Sequence, residues 1–245
     1  MARKKNRESK IERIKKASGN LRGDLAEELG NDLPNFSKKG LQLLKFHGTY
    51  QQDDRDKRQG KHKEYSFMIR CRIPGGGLTP EQYLAHDDIA DRYANGTLRI
   101  TTRQTFQFHG VIKENLKATM QGINNALVTT MAACGDVVRN VMCNPAPDAD
   151  RLQQQVQEYA NELSGELLPE TNAYHEVWLD GEKVYSNKTE TSGEKEPFYT
   201  SAYLPRKFKI GIASPGDNSI DVYTQDIGLV AIPENGKIAG FNLIV

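Results

Sequence analysis

The sequence predicts a mixed fold, an α/β or α+β sandwich in which helices cover one face of a sheet. Residues 98–110, LRITTRQTFQFHG, alternate between two faces as the side chains of a strand do. Residues 79–96 carry the start and stop signals of a helix. Strand-like and helical patterns follow one another in the order β-α-β-α-β as far as residue 143, and this order favours the sandwich.

Length and composition are those of a soluble globular chain. The 245 residues suffice for one large domain or two modest ones, and 37% of them are hydrophobic while 27% are charged. No apolar run approaches the roughly 20 residues of a membrane helix, and the N-terminus lacks the apolar segment of a secretory signal. We therefore expect a cytoplasmic protein, or one from the plastid stroma, with no membrane partner.

The net charge of +1 hides a basic N-terminal segment. Residues 1–16 hold eight Lys or Arg and two Glu, a charge of +6, so the rest of the chain carries −5. Such a segment could contact nucleic acid or an acidic protein. A solvated, frayed helix is the favoured interpretation, and we do not expect a nucleic-acid partner.

Two elements are predicted before residue 74. Leu21, Leu25 and Leu29 stand four apart and predict a short helix, whereas residues 40–65 read as a short apolar piece followed by a long polar loop. Residues 65–73, YSFMIRCRI, predict a strand. Its alternation puts Phe67, Ile69 and Cys71 on one face and Met68, Arg70 and Arg72 on the other.

The next predicted element is a capped helix. Thr79 is its N-cap, Pro80 its first residue, and Gln82 completes a capping box, while Asn95 and Gly96 end it. Its apolar side is formed by Leu84, Ile89 and Tyr93. The three glycines at 75–77 indicate a turn, because the spacing of a phosphate-binding loop is absent.

Residues 97–112 predict one long strand with an apolar and a polar face. The first face holds Leu98, Ile100, Thr102, Gln104, Phe106 and Phe108. The second holds Arg99, Thr101, Arg103, Thr105, Gln107 and His109.

Later patterns predict helices at 115–127 and within 148–169, and strands at 136–143, 206–213, 219–223, 227–233 and in the apolar segment after the turn at 235–236.

Four of the predicted strands point cations to one side. They carry Arg70 with Arg72, Arg99 with Arg103, Arg139, and Lys207 with Lys209. If these cations meet, a bound anion must offset their repulsion, and the mixture of Arg and Lys suits a polycarboxylate, a small oxyanion or both. Nucleic acid is disfavoured, because no exposed aromatics are interleaved with these cations and the chain beyond residue 16 is acidic.

Metal and disulfide sites are not expected from this chain alone. It has three cysteines, Cys71, Cys134 and Cys143, with no C-x-x-C pair, and its five histidines show no metal-binding spacing.

Six segments in register carry a family resemblance. They are KFHGTYQQDDRD (45–56), FMIRCRIPGG (67–76), LRITTRQTFQFHG (98–110), GDVVRNVMCNPAP (135–147), LPRKFKIGI (204–212) and NGKIAGFNLIV (235–245). Together they resemble the N-terminal half of assimilatory sulfite reductase haemoproteins, in the sirohaem sulfite/nitrite reductase family. The resemblance implies an α+β fold: a basic arm and wrapping segment (1–63), a ferredoxin-like α/β sandwich half-domain (64–132), and the start of a mixed α+β sirohaem-binding domain (133–245).

The resemblance also implies an activity and its residues. The family reduces sulfite to sulfide with six electrons in sulfur assimilation, using sirohaem and a 4Fe-4S cluster, with ferredoxin or a flavoprotein reductase as donor. Carried over by motif, the catalytic residues around sulfite are Arg70, Arg139, Lys207 and Lys209, and the two lysines donate protons. The residues expected to hold sirohaem, chiefly its carboxylates, are Arg99, Thr101, Arg103, Gln107, His109 and Asn140.

Details of the motifs refine and limit this expectation. Related nitrite reductases typically have Asn at the position of Lys209, so RKFK favours sulfite, and AACGDVVRN looks more like the ferredoxin-dependent branch. The family's cluster motifs, C-x5-C and C-x3-C, do not occur in this chain, and the sequence stops within an apolar run. We therefore expect a truncated or split chain that is inactive alone. The alternatives are a sirohaem nitrite reductase and a non-catalytic truncated tetrapyrrole-binding module.

Overall fold

The computed structural model describes residues 8–54, 58, 63–146, 150–171, 173, 176–179, 182–186 and 198–245, and every structural statement below concerns these residues. The first seven residues of the basic N-terminal segment lie outside them. No helix in the described ranges has both the length and the apolar character needed to cross a membrane.

The elements confirm a mixed α+β fold. The helices are α1 (Lys10–Lys16), α2 (Leu25–Leu29), α3 (Gly40–Leu44), α4 (Pro80–Tyr93), α5 (Leu116–Asn125) and α6 (Arg151–Glu166). The strands are β1 (Thr49–Asp53), β2 (Tyr65–Arg70), β3 (Leu98–Ile100), β4 (Phe106–Val111), β5 (Glu176–Leu179), β6 (Glu182–Ser186), β7 (Ile210–Ala213), β8 (Ile227–Glu234) and β9 (Lys237–Ile244).

The strands form three sheets in the described part of the chain. The first is antiparallel in the order β1-β2-β4-β3, and β5 and β6 form an antiparallel pair. The third has the order β7-β8-β9, with β7 parallel to β8 and β9 antiparallel to it. Asn235 and Gly236 join β8 to β9 with φ angles of 50° and 74°, the left-handed conformations that a tight hairpin turn requires.

Two hydrophobic cores lie beneath these sheets. The first packs α4 and α5 against one face of the first sheet, around Phe67, Ile69 and Phe108. This arrangement confirms that helices cover one face of a sheet. The second core packs α6 against the chain from Met131 to Cys143 and against β7. The opposite face of the first sheet is therefore left for polar side chains.

The capped helix is confirmed, with one error. Thr79 and Gln82 form the reciprocal capping box and Pro80 begins α4. Leu84 does not belong to its buried side, because the side chain is 64% exposed. His86 is buried instead, and its ring stacks on Phe108 at a centroid distance of 5.7 Å.

The predicted long strand at 97–112 is wrong, because the chain turns back on itself to form the β3–β4 hairpin. Gln104 adopts a left-handed φ of 53°, and the Thr101 N–H donates to the Thr105 carbonyl at 2.9 Å. Thr101 Oγ1 also accepts from the Arg103 N–H at 3.2 Å. Local side-chain hydrogen bonds of this kind favour a turn over continued extension.

Four further expectations are corrected. Residues 136–143 are extended but form only isolated bridges, with Val138 opposite Phe208 and Met142 opposite Gly211. The run at 219–223 contains the start of a 3₁₀ turn, and residues 40–65 contain all of α3 and all of β1. Leu21 lies in a turn with a φ of 63°, so the helical stripe begins only at Leu25. In each case contacts with distant segments override a local pattern.

Candidate anion-binding site

A polar cavity of about 520 Å³ lies where the β3–β4 turn, the end of β2 and the segment before β7 converge. Its lining brings together six of the ten predicted site residues, namely Arg70, Thr101, Arg103, Arg139, Lys207 and Lys209. One carboxylate, that of Asp221, belongs to the lining. The convergence that spacing alone could not establish is therefore present in the fold.

Backbone pairing places Arg139 beside the two lysines. The Arg139 N–H donates to the Phe208 carbonyl at 2.8 Å, and the Phe208 N–H donates to the Val137 carbonyl at 3.0 Å. Lys207 and Lys209 flank Phe208 and share one side of this extended segment. Lys209 is itself fixed, because its N–H donates to Asp226 Oδ2 at 2.8 Å.

Arg70 is held by the buried amide of Gln107, which lies opposite it across β2 and β4. With the amide oxygen toward Arg70, that oxygen accepts from Nε at 2.9 Å and from Nη2 at 2.5 Å. The amide nitrogen then donates to His109 Nε2 at 3.0 Å. His109 therefore carries its proton on Nδ1 when neutral. Burial, then the charges of Arg99 and Arg70, lower the pKa of His109, which favours this neutral form.

The other two arginines are anchored by carbonyl oxygens. Arg139 donates from Nε to Gly135 at 2.9 Å and from Nη1 to Ala133 at 3.1 Å. Arg103 donates from Nη1 to the Asn140 carbonyl at 2.8 Å and from Nη2 to Gln225 Oε1 at 2.5 Å. Burial, with the charge of Arg139 adding to it, lowers the pKa of Arg103 to about 10, still well above neutral pH.

Neutral hydrogen-bond partners hold the arginines of the site, and Asp221 is the one carboxylate of the lining. None of the five cations in the lining forms an ion pair within 4.0 Å with a carboxylate of the described residues. Fixed cations that are held by neutral groups repel one another, and a bound anion relieves that repulsion. The charge and geometry of the cavity therefore suit a bound anion.

Four of the predicted site residues lie outside the cavity lining. Arg99 is exposed and pairs with Gln107 on the polar face of the sheet, and His109 is half-buried beside them. Asn140 is buried, and its Nδ2 donates to the Ile73 carbonyl at 2.6 Å and to the Arg103 carbonyl at 3.0 Å. Asn140 Oδ1 is buried without a hydrogen-bond partner in the described part of the chain.

Arg72 does not join the site, although alternation places it on the face of Arg70. Its side chain is 2% exposed and turns toward α6, where Nε donates to Ser164 Oγ at 2.8 Å and Nη2 donates to the Ser164 carbonyl at 3.1 Å. Nη1 donates to the Val138 carbonyl at 2.8 Å. Arg72 therefore connects the strand to the second core.

Two family models match the chain, and each matched range contains residues of this site. Residues 58–126 match the nitrite/sulfite reductase ferredoxin-like half domain, and residues 158–245 match the nitrite and sulphite reductase 4Fe-4S domain. The chain belongs to the nitrite and sulfite reductase family. The match over residues 58–126 confirms the predicted ferredoxin-like half-domain fold in that part of the chain.

Curated relatives agree with this family assignment. The sulfite reductase (NADPH) hemoprotein beta-component of Geobacillus thermodenitrificans is 56% identical over 97% of this chain and 42% of the relative. That of Staphylococcus epidermidis is 53% identical over 96% of this chain and 41% of the relative. The chain thus spans about two fifths of the length of these relatives.

A solved structure shares the fold. The Mycobacterium tuberculosis NirA protein superposes with a TM-score of 0.63 at 23% identity, covering 94% of this chain and 39% of that one. At this identity the likeness concerns the fold of the family alone.

Several residues of the lining were missed by sequence reasoning. They are Thr102, Met142, Ser219, Ile220, Asp221, Thr224 and Gln225. Most follow β7 in a stretch that was interpreted partly as a strand, where the structure has turns and a left-handed Asp221 with a φ of 50°. An Asp in a polar loop carries no periodic signal, so only the position of the turn shows it near the cations.

The three cysteines lie in the interior of the protein with free thiols. All three are buried, and burial raises the pKa of each thiol, to about 12 for Cys143. Cys71 Sγ lies 3.4 Å from His86 Nε2, and His86 Nδ1 donates a hydrogen bond to the Gln82 carbonyl at 2.7 Å. No group of three His, Cys, Asp or Glu side chains within the described ranges could hold a metal ion.

We expect all three native thiols to resist iodoacetamide at about pH 8 and to react fully in urea, because a raised pKa removes the reactive thiolate and burial blocks access. Mass spectrometry of the alkylated peptides measures the two rates, with glutathione as the reference thiol. Labelling of any one cysteine in the native protein at a rate near that of glutathione would contradict its assignment as buried.

Proposed function

We propose that this chain is the sirohaem- and sulfite-binding portion of a sulfite reductase, which reduces sulfite to sulfide with six electrons. The observation that carries the proposal is the set of five cations around one cavity, none paired with a described carboxylate. The names of the curated relatives support sulfite as the substrate, and Lys209 stands where nitrite-reducing members typically have Asn. The carboxylate-rich cofactor and the dianionic substrate both suit such a site.

The donors of the polar face fit the carboxylates of sirohaem. Arg99 is exposed at the edge of the sheet, Thr101 and Arg103 reach the cavity from the turn, and His109 keeps Nδ1–H as a donor. Gln107 contributes by orienting Arg70 and His109, since both ends of its amide are used. Asn140 fixes the Arg103 carbonyl, and its buried Oδ1 can accept one further hydrogen bond. When bound, sirohaem supplies the iron at which sulfur accepts electrons.

The chain's own residues bind the substrate and move protons. Arg70 and Arg139 hold sulfite oxygens, because their guanidinium groups are charged and fixed by neighbouring acceptors. Each S–O bond that breaks releases an oxygen that must be protonated to leave as water. Lys207 and Lys209 donate these protons from Nζ. Water then reprotonates the lysines, and Lys207 is exposed to solvent.

The electrons require parts beyond these residues. A 4Fe-4S cluster needs four thiolates, and the chain has three cysteines. All three are buried, and none belongs to the cavity lining. We therefore propose that other residues supply the cluster ligands. The relatives' names contain NADPH and favour a flavoprotein reductase as donor. The ferredoxin alternative rests on the AACGDVVRN motif alone. Cytoplasmic location is part of the same proposal.

We also propose the division into segment 1–63, half-domain 64–132 and sirohaem domain 133–245. Phe36 and Leu44 belong to the first core, while Leu21, Leu43 and Phe46 belong to the second. The first segment therefore contributes to both cores, as a wrapping segment should.

Turnover of sulfite and nitrite by the whole protein tests the function. With a chemical reductant, we expect kcat/KM for sulfite to exceed that for nitrite, with sulfide as the product. Reduction of nitrite with no sulfide formed from sulfite would overturn the proposal in favour of nitrite reduction. Binding of sirohaem without turnover of either anion would favour the non-catalytic tetrapyrrole-binding module.

A further inference from the structure

Lys15, in the basic N-terminal segment, is buried although Lys16, the next residue on α1, is exposed. Its side chain is 2% exposed, against 49% for Lys16. Lys15 Nζ donates to Asp136 Oδ2 at 3.1 Å and to the Leu204 carbonyl at 3.0 Å. A charged lysine is buried in this way only where its partners offset the loss of hydration.

The two partners of Lys15 begin the two segments that carry the cations of the cavity. Asp136 lies three residues before Arg139, and Leu204 lies three residues before Lys207. The Leu204 N–H donates to the Asp136 carbonyl at 3.0 Å, and this bond is the first of the contacts between the segments. Lys15 therefore spans the end at which the paired segments start.

The pairing beyond that end is discontinuous and opposed by charge. The segments are joined by single backbone hydrogen bonds at Asp136, Val137 and Arg139 and by two more at Met142, and they form isolated bridges, not a continuous strand ladder. Arg139, Lys207 and Lys209 then face one cavity, so their like charges repel each other before an anion binds. A brace at the start of the pair resists this repulsion.

We propose that Lys15 is a positioning residue for the anion site, since it locks Asp136 to Leu204 and thereby sets the spacing between Arg139 and the two lysines. The inference rests on the proposed function, because it concerns the affinity of that same site for sulfite. It also gives the basic N-terminal segment a role beyond surface charge, since one of its lysines stabilises the fold beside the cavity.

The test compares Lys15→Met, Lys15→Arg and Lys16→Met in the whole cofactor-loaded protein. Lys16 is the matched control, because it is exposed on the same helix and pairs with Glu8. Sulfite affinity is measured by calorimetric titration without reductant, and KM, kcat and the thermal midpoint are measured separately. All binding is measured well below the lowest midpoint, so that the folded fraction is equal.

We expect Lys15→Met to weaken sulfite binding roughly tenfold and to raise KM more than it lowers kcat, because displaced cations lose affinity for the anion. Lys15→Arg should stay within about twofold, since a guanidinium can reach both acceptors, and Lys16→Met should match the parent protein. A lower thermal midpoint with unchanged sulfite affinity would overturn the positioning role.

Two further variants distinguish failure of the positioning role from failure of the proposed function. If Lys15→Met does not fold, Asp136→Asn removes the ion pair while it keeps an acceptor oxygen, and unchanged affinity in that variant would overturn the inference. Lys207→Met/Lys209→Met tests the site itself. If the double variant binds sulfite as tightly as the parent protein, the proposed function fails. If the double variant loses sulfite binding while Lys15→Met keeps the parent affinity, only the positioning role of Lys15 is overturned.

Discussion

Replacing Lys209 with methionine should lower kcat/KM for sulfite by about two orders of magnitude. In the proposed function, the substitution removes a positioned proton donor and one of the cations around the bound anion, and each effect is large in a preorganised site. The backbone of Lys209 is held independently, since its carbonyl accepts from the N–H groups of Asp226 and Ile227, both at 3.0 Å. The side chain can therefore be removed while the segment stays in place.

Arg206→Met is the matched control for this substitution. Arg206 carries the same charge three residues away, but it is 68% exposed, 3.9 Å from Asp226, and outside the cavity lining. Steady-state kinetics with sulfite should show a change of less than about threefold, because screened surface charges contribute little. Equal losses in the two variants would show that net charge matters and that Lys209 has no specific role.

Arg72→Met should lower the free energy of unfolding by about 3 kcal/mol. The substitution leaves the Val138 carbonyl, the Ser164 carbonyl and the Ser164 hydroxyl buried without the donor that they now share. A buried polar group that loses its partner costs about 1–3 kcal/mol, and some relaxation will reduce the sum of the three. Burial lowers the pKa of Arg72 to about 10, so the guanidinium stays charged near neutral pH and keeps these bonds.

Urea unfolding measures this effect, with Arg92→Met as control. Arg92 is 64% exposed and pairs with Asp88 at 2.8 Å across one turn of α4, a contact that contributes only about 0.3–0.5 kcal/mol. A loss below about 1 kcal/mol for Arg72→Met would mean that the hydrogen bonds to α6 are replaced by water. That result would contradict the role of Arg72 as the connection between strand and second core.

The polar face at 98–110 was predicted correctly from a wrong strand. In the hairpin, Arg99 lies opposite Gln107 and Leu98 lies opposite Phe108. Residues that lie opposite each other in the hairpin point to the same side of the sheet, and each pair consists of two odd-numbered or two even-numbered residues. The odd-numbered and even-numbered residues therefore stay on the two faces that alternation predicts. The exception is Ile100, which is 76% exposed because β3 lies at the edge of its sheet.

Local chemistry alone determined the helix start at Thr79 and the turn at Asn235 and Gly236. These features depend on neighbours within a few residues, where capping and alternation act. The family motifs added the order of the segments and the residues to compare.

Only the tertiary structure decided which cations meet. Alternation assigned Arg70 and Arg72 to the same face, yet β2 ends at Arg70, and Arg72 turns inward to Ser164, which is 92 residues away in sequence. Lys15 looked solvated and is buried, because its partners Asp136 and Leu204 lie 121 and 189 residues away. Such contacts offset the cost of burying a charge, and no local pattern records them, because they exist only once distant segments have packed together.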